Sequence, residues 1–282
     1  MELIEAVFLG IVQGLTEFLP ISSSGHLVIL QHLFGVTGQA LDFDVCLHLG
    51  TLVAVCIFFR SDLAHIAGAL SAPLHTAAAG SPDGGAANEA RAEHRRMAFM
   101  VVVGSVPTAI VGLLFQRISA VLFSSVILVG VMLLVTGTVL CVTRFAANGY
   151  NREGDRRKEA AGLTVLDALV IGTVQGLAIV PGISRSGVTI AAGLMLGLNR
   201  RTAAKYSFLL SIPAILGASV LVLGDLTAVR ATSPTAMAAG TIVAAIVGYA
   251  ALKMLVYIVH RGQLFLFAPY CWAAGIVTIY FG

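Results

Sequence analysis

Two stretches of this 282-residue sequence resemble one another closely, and each interrupts a long apolar segment with a polar motif. Residues 10–25 read GIVQGLTEFLPISSSG and residues 172–187 read GTVQGLAIVPGISRSG, at a constant offset of 162 residues. Shared Gln, Ser and Gly in fixed register is far more specific than the Leu, Val and Ala that any two membrane helices share. The sequence therefore predicts a duplicated unit.

The rest of the chain indicates a polytopic α-helical membrane protein. It is 58% hydrophobic and only 11% charged, whereas an ordinary soluble domain carries about 25% charged residues. Its apolar residues come in blocks of about 20, the length that spans a bilayer core. The net charge of +3 gives no indication of nucleic-acid binding. The eight blocks are approximately 3–35, 43–60, 97–115, 121–143, 163–198, 206–223, 236–258 and 264–281.

The two interrupted blocks, 3–35 and 163–198, are too long for one span and too broken for one helix. If each is a re-entrant helix–loop–helix segment, three full spans separate them and the second copy is inverted relative to the first. Inverted repeats with broken helices are typical of transporter-like folds. We therefore predict a single membrane domain, 1–282, with about six transmembrane helices. Repeat one covers about 1–120 and repeat two about 163–282.

The distribution of positive charge predicts the orientation of this topology. In the inverted arrangement, 14 of the 17 Lys and Arg residues fall in loops on one side, which the positive-inside rule makes cytoplasmic. Both termini then face outward, and the first re-entrant loop opens to the outside. Residues 71–96, rich in Ala, Gly and Pro, are expected to form a flexible cytoplasmic linker.

Three ionisable residues fall in or beside the interruptions: Glu17, His26 and Arg185. A charged side chain at membrane depth is costly, so each is a candidate functional residue. Glu17 lies four residues after Gln13, which places both on one helix face; a structural ion pair with Arg185 is the alternative. His26 alone is compatible with a buried histidine bonded to a carbonyl, and the serines at 22–24 with helix capping.

Arg185 is the strongest sign of an anion site, because a guanidinium keeps its charge at any depth and requires an anion. Hydroxyl residues surround it, and nearby glycines let backbone amides approach a ligand closely. This pattern is typical of a phosphate cradle, in which N–H groups at a helix N-terminus and a bidentate arginine hold the anion. The sequence therefore predicts binding and attack of a phosphate near the membrane centre.

The motifs QGLTEFLPISSSGHL and PGISRSGVTI closely resemble the two signatures of the bacitracin-resistance type undecaprenyl-diphosphatase family. The similarity also includes FDVCLHLGTLVAV and KYSFLLSIPAILG, at 43–55 and 205–217. The resemblance implies an integral membrane enzyme that converts undecaprenyl diphosphate to the monophosphate for peptidoglycan synthesis, with an outward-facing site that depends on a divalent cation. One departure is Gln13, where many relatives carry Glu, so one anionic metal ligand is lost.

The expected reaction is hydrolysis of a phosphoanhydride. Arg185 is expected to clamp the diphosphate and neutralise developing charge. Ser23 is the expected nucleophile and His26 its acid–base partner; attack by water that His26 or Glu17 activates is the alternative. Glu17, assisted by Gln13, is expected to bind Mg²⁺ or Ca²⁺. The other residues expected to contact the phosphates are Ser22, Ser24, Gly25, Ser184, Ser186 and Thr189.

A transporter or flippase of a polyprenyl phosphate lipid is the alternative function, because inverted repeats also suit alternating access. Both functions need an anion clamp, but only hydrolysis needs Ser23 and His26 as chemical groups. In either case the partners are a polyprenyl lipid and the bilayer rather than nucleic acid, and a homodimer is left open. The expected location is the bacterial inner membrane, with the site opening to the outer face.

Overall fold

The computed structural model describes residues 2–33, 41–72, 82–116, 119–148, 158–223 and 233–282, and this part of the chain is all-helical apart from turns and one isolated β-bridge. Twelve α-helices are present among these residues. They are α1 (Leu3–Phe18), α2 (Ser23–Leu33), α3 (Leu41–Phe58), α4 (Arg60–Ser71), α5 (Pro82–Gln116), α6 (Ser119–Ser124), α7 (Val126–Asn148), α8 (Val165–Leu177), α9 (Arg185–Met195), α10 (Arg200–Leu223), α11 (Pro234–His260) and α12 (Ala268–Phe281).

Within the described ranges, five helical segments are long and apolar enough to cross a membrane: 88–115, 126–145, 200–221, 234–260 and 264–281. A sixth span results if α3 and α4 are taken together, as a pair bent by 74°. The prediction of an all-α polytopic membrane protein with about six transmembrane helices is confirmed. The repeat boundaries, and which side of the membrane each loop faces, stay predictions.

The prediction of a flexible linker over residues 71–96 is wrong for residues 82–96. Helix α5 begins at Pro82, well before the apolar span, so residues 82–96 are helical. Ala, Glu and Arg dominate residues 86–96, and these are strong helix formers. Arg95 fixes this extension to the end of α4, since its guanidinium donates to the carbonyls of Ala69 and Ala72. Residues 73–81 lie outside the described part.

A serine caps the helix that restarts after each interruption. Ser22 caps α2 by accepting the Gly25 amide at 3.2 Å, and Ser184 caps α9 by accepting the Gly187 amide at 3.2 Å. The interruptions also touch each other, because the Gly182 amide donates to the Ser22 hydroxyl at 3.1 Å. Gly182 has a positive φ of 96°, which is strained for other residues. The two half-helix N-termini therefore meet at one place.

Glycines let the first helix of each copy pack closely on a long helix of the other half. A Cβ at Gly10 of α1 would lie 2.6 Å from the Gly240 carbonyl oxygen of α11, and one at Gly172 of α8 would overlap the Gly104 carbonyl oxygen of α5. Small residues at such contacts allow backbones to approach, as in GxxxG packing. Each copy is thus held in place by a helix from the opposite half.

Gly10→Ala and Gly172→Ala should each lower the free energy of unfolding by about 1–3 kcal/mol, because the added methyl meets backbone that cannot yield cheaply. Gly112→Ala in α5 is the control, since a Cβ there meets nothing within 4 Å. It should be neutral or slightly stabilising, because Ala favours a helix over Gly by about 1 kcal/mol. Thermal unfolding in detergent measures all three, and equal midpoints for Gly10→Ala and Gly112→Ala would contradict the packing.

Candidate active site

Glu17 is the centre of the polar cluster where the two interruptions meet. It lies in the last turn of α1 and is only 6% exposed. Its Oε2 accepts hydrogen bonds from the Gln13 amide at 3.0 Å and from the Ser23 hydroxyl at 2.6 Å. Its Oε1 forms an ion pair with the Arg185 guanidinium. One carboxylate therefore joins residues from both copies of the repeat.

Ser23 and Arg185 occupy equivalent positions in the two copies, since they are separated by the repeat offset of 162 residues. Each is the first residue of its half-helix, directly after the capping serine. The N-terminus of a helix carries partial positive charge and exposed amides, which favour an anion. The fold therefore brings a hydroxyl and a guanidinium to the positive ends of two helices, with Glu17 between them.

Arg185 retains an unused donor for an anion. Its Nη2 is engaged by Glu17, whereas its Nη1 is buried and has no hydrogen-bond partner. A buried donor without a partner costs about 1–3 kcal/mol, so such an atom in a native site needs an explanation. A phosphate oxygen is the natural acceptor for a guanidinium. The side chain is 19% exposed overall, whereas Nη1 itself is covered by protein atoms, so a phosphate oxygen reaches Nη1 only if the side chain shifts.

The hydroxyls predicted to hold the phosphates are used within the protein. Ser22, Ser184, Ser186 and Thr189 are at most 3% exposed. Ser186 donates to the Phe18 carbonyl at 2.9 Å, and Thr189 donates to the Arg185 carbonyl at 2.7 Å. Ser22, Ser184 and Ser186 satisfy backbone groups at the ends of the broken helices. Contact of these four residues with substrate stays a prediction.

Two further predicted phosphate contacts, Ser24 and Gly25, lie on the first turn of α2. The Ser24 hydroxyl is partly exposed and lies 3.4 Å from that of Ser22. Gly25 is buried, and a Cβ there would lie 3.1 Å from the Gly182 Cα. Ser24 therefore stays available to a ligand, whereas the visible role of Gly25 is close packing between the two interruptions.

His26 is not the partner of Ser23 in this arrangement. Its Nδ1 lies 2.7 Å from the Ser22 carbonyl oxygen, and its Nε2 lies 2.7 Å from the Tyr270 hydroxyl of α12. Both ring nitrogens are therefore engaged, and the Ser23 hydroxyl donates to Glu17 instead. The expected Ser23–His26 pair is corrected to a Ser23–Glu17 pair, in which the carboxylate is placed to accept the proton.

Sequence reasoning missed two residues of the cluster, His48 and Thr136. His48 of α3 directs its Nε2 to within 3.6 Å of Glu17 Oε2, while its Nδ1 lies 2.7 Å from the Asp44 carbonyl oxygen. Thr136 of α7 donates to the Gly182 carbonyl at 2.8 Å and accepts the Ser184 amide at 3.1 Å. His48 could have been identified from the sequence, because it is an ionisable residue inside the apolar block 43–60. Nothing in the sequence distinguishes Thr136.

The side chains present do not fit a divalent cation held by the protein alone. Gln13 and Glu17 are adjacent, as predicted, but Glu17 is the one carboxylate in the cluster and both its oxygens already accept hydrogen bonds. Across the described residues, no group of three or more His, Cys, Asp and Glu side chains could hold a metal ion. The predicted requirement for Mg²⁺ or Ca²⁺ stays a prediction.

Comparison with known proteins agrees with the motifs. The family model described as bacitracin resistance protein BacA matches residues 6–277, nearly the whole chain. The chain belongs to this family. The BacA match includes both interruptions and every residue of the Glu17 cluster, so the cluster lies within the part of the chain that defines the family.

Three relatives show how complete the similarity is. The chain is 51% identical to an undecaprenyl-diphosphatase of Desulfosudis oleivorans, over all of this chain and 99% of the relative. It is 46% identical to one of Desulforapulum autotrophicum with the same coverage. It is 44% identical to one of Halothermothrix orenii, over 99% of this chain and 98% of the relative. All three carry the same enzyme name.

Proposed function

We propose that this chain hydrolyses undecaprenyl diphosphate to undecaprenyl phosphate and inorganic phosphate, and so recycles the lipid carrier for cell-wall synthesis. The name shared by full-length relatives at 44–51% identity supports this activity. The observation that carries it is the Glu17 cluster, in which a hydroxyl, a carboxylate and a guanidinium with an unused donor meet at two helix N-termini. These are the groups that phosphoryl transfer needs.

The first step is binding of the diphosphate. Arg185 donates from Nη1 to a phosphate oxygen while Nη2 keeps its contact with Glu17. The N-terminal turns of α2 and α9 add partial positive charge on the same side. Groups fixed in advance stabilise the charge that develops on the phosphoryl oxygens without reorganising. The lipid tail stays in the bilayer, since the site lies between apolar helices.

The second step is attack by Ser23. Its hydroxyl hydrogen passes to Glu17 Oε2, 2.6 Å away, as Oγ forms a bond to the terminal phosphorus. The phosphoanhydride bond to that phosphorus breaks, and its electron pair leaves with undecaprenyl phosphate. A hydrogen-bonded nucleophile and base, with the base oriented by further groups, is the recurring arrangement of covalent catalysis. Here Gln13 and Arg185 orient the Glu17 carboxylate.

The third step releases inorganic phosphate. A water molecule attacks the phosphoserine, the P–Oγ bond breaks, and the Ser23 oxygen regains a proton. Glu17, protonated in the second step, is the neighbouring group that returns this proton. His26 is held by Ser22 and Tyr270 through both of its ring nitrogens. No step of the proposed reaction is therefore assigned to it.

Ser23→Ala should abolish phosphate release from a long-chain polyprenyl diphosphate in detergent, because it removes the attacking oxygen. Ser105→Ala is the control, since it deletes a hydroxyl of α5 that donates to the Val101 carbonyl at 2.7 Å, outside the Glu17 cluster, and it should keep the wild-type rate. Wild-type protein quenched during turnover with substrate labelled on the terminal phosphate should carry label on Ser23. Full activity of Ser23→Ala without labelled protein would assign the attack to water.

The bacterial plasma membrane is the proposed location, because multiple apolar helices make this a multi-pass membrane protein and the family acts on a membrane lipid. The proposed orientation puts the Ser23 site toward the outer face, on the strength of the Lys and Arg distribution. Absence of phosphate release by the purified wild-type protein would contradict hydrolysis and favour the transporter alternative.

A further inference from the structure

The charge of the Glu17 cluster is already balanced without a metal ion. Glu17 contributes one negative charge, and Arg185 contributes one positive charge in direct contact with it. Gln13 carries no charge, and His48 adds no negative charge. The protein side of the site therefore never has net negative charge among the residues described. A hard dication is bound mainly by anionic oxygens, and its affinity depends on how many of them the site offers.

The orientation of Gln13 turns its side-chain oxygen away from the Glu17 carboxylate. Its Nε2 donates to Glu17 Oε2, which requires the amide to turn its NH₂ group toward the carboxylate. The reverse orientation would set two acceptor oxygens against each other, so this assignment follows from the chemistry of the pair. Gln13 Oε1 is consequently directed away and stays buried without a partner. Gln13 thus serves Glu17 as a donor, and the two do not present a pair of oxygens to one ion.

Glu17 Oε2 has little remaining capacity for a metal. It accepts from Gln13 and from Ser23, and His48 Nε2 lies 3.6 Å from it. A cation at this oxygen would have to displace the Ser23 hydroxyl that the proposed reaction uses. The diphosphate of the substrate, in contrast, brings several anionic oxygens of its own. Mg²⁺ in proteins is commonly held by one or two carboxylates together with substrate phosphates.

We propose that this site has no resident divalent cation, and that a cation reaches it only as the counterion of a diphosphate that Arg185 binds. The proposal rests on the proposed function for the diphosphate, but not on the hydrolysis step itself. It follows that position 13 decides whether the protein alone can hold a cation, because a second carboxylate beside Glu17 would give the site net negative charge.

The claim that the site has no resident cation is tested by equilibrium dialysis of the purified protein in detergent against Mn²⁺, without substrate. Wild type and Glu17→Gln should retain the same amount of Mn²⁺, which represents other carboxylates only. Gln13→Glu should retain about one further equivalent. Gln175→Glu is the matched control: it makes the same change in the second copy, where Ile179 stands in place of Glu17, and should add none. One Mn²⁺ more in wild type than in Glu17→Gln would overturn the proposal.

The claim that a cation enters together with a diphosphate is tested by adding inorganic diphosphate as the probe. Wild type should then retain more Mn²⁺ than without the probe, and Arg185→Lys should lose most of that increase. If wild type retains the same amount of Mn²⁺ with and without diphosphate, the proposal is overturned. This comparison needs only the wild-type protein, so it holds even if Gln13→Glu fails to fold. Neither dialysis measurement depends on turnover. A negative result in dialysis therefore contradicts only the proposal on cation binding, whereas a negative phosphate-release assay contradicts hydrolysis.

Discussion

Arg185→Lys is expected to lower kcat by about 10²–10³, the usual cost of removing one preorganised donor to a developing anion. Lysine keeps the positive charge but not the planar fork. The guanidinium serves two partners at once, Glu17 through Nη2 and, as proposed, a phosphate oxygen through Nη1. A single ammonium cannot hold both in fixed geometry, so it either stays with Glu17 or leaves it for the substrate. Steady-state phosphate release in detergent gives kcat and KM.

The thermal midpoint of Arg185→Lys should change little, because Glu17 keeps a cationic neighbour. Arg261→Lys is the control for a generic arginine replacement, since the Arg261 guanidinium lies over the Tyr257 ring at 4.4 Å, at the far end of α11. It should retain wild-type turnover. If Arg185→Lys also turned over normally, Arg185 would be a structural counterion of Glu17, and the unused Nη1 would not mark the phosphate site.

The sequence predicted the centre of the site because membrane burial makes charge conspicuous. Glu17 and Arg185 stand out in apolar segments, and the duplication places Ser23 and Arg185 in equivalent positions. The structural role of the flanking hydroxyls was not predicted, for a physical reason. A broken helix leaves amides and carbonyls that need partners, and Ser184 and Ser186 meet that need.

The sequence pattern did not predict the contact of His48 with Glu17 or the extension of α5. A lone histidine in an apolar helix is most often bonded to a backbone carbonyl, and His48 does make that bond through Nδ1. Only the packing of α3 beside α1 shows that its second nitrogen faces Glu17. The extension of α5 over residues 82–96 was hidden by the Pro and Gly at its start, although the Ala-rich stretch that follows favours a helix.

Glu17→Gln is expected to lower both turnover and stability, for separate reasons. Loss of the proton acceptor for Ser23 should reduce kcat by about 10²–10⁴, the range of general acid–base contributions. Removing one partner of a buried ion pair leaves the other charge uncompensated, which costs about 3–5 kcal/mol. Arg185 would keep its charge, and neither of its terminal nitrogens would be in an ion pair. The thermal midpoint and phosphate release of the same preparation measure the two effects.

The double variant Glu17→Gln/Arg185→Met separates these effects. Replacing both members of a buried pair by uncharged groups is often neutral for stability, so the midpoint should return toward that of wild type. Turnover should not return, because neither the base nor the phosphate clamp is present. Recovery of activity together with stability would show that the pair only supports the fold. A midpoint that stayed low would mean that Glu17 stabilises the protein through Gln13 and Ser23 rather than through Arg185.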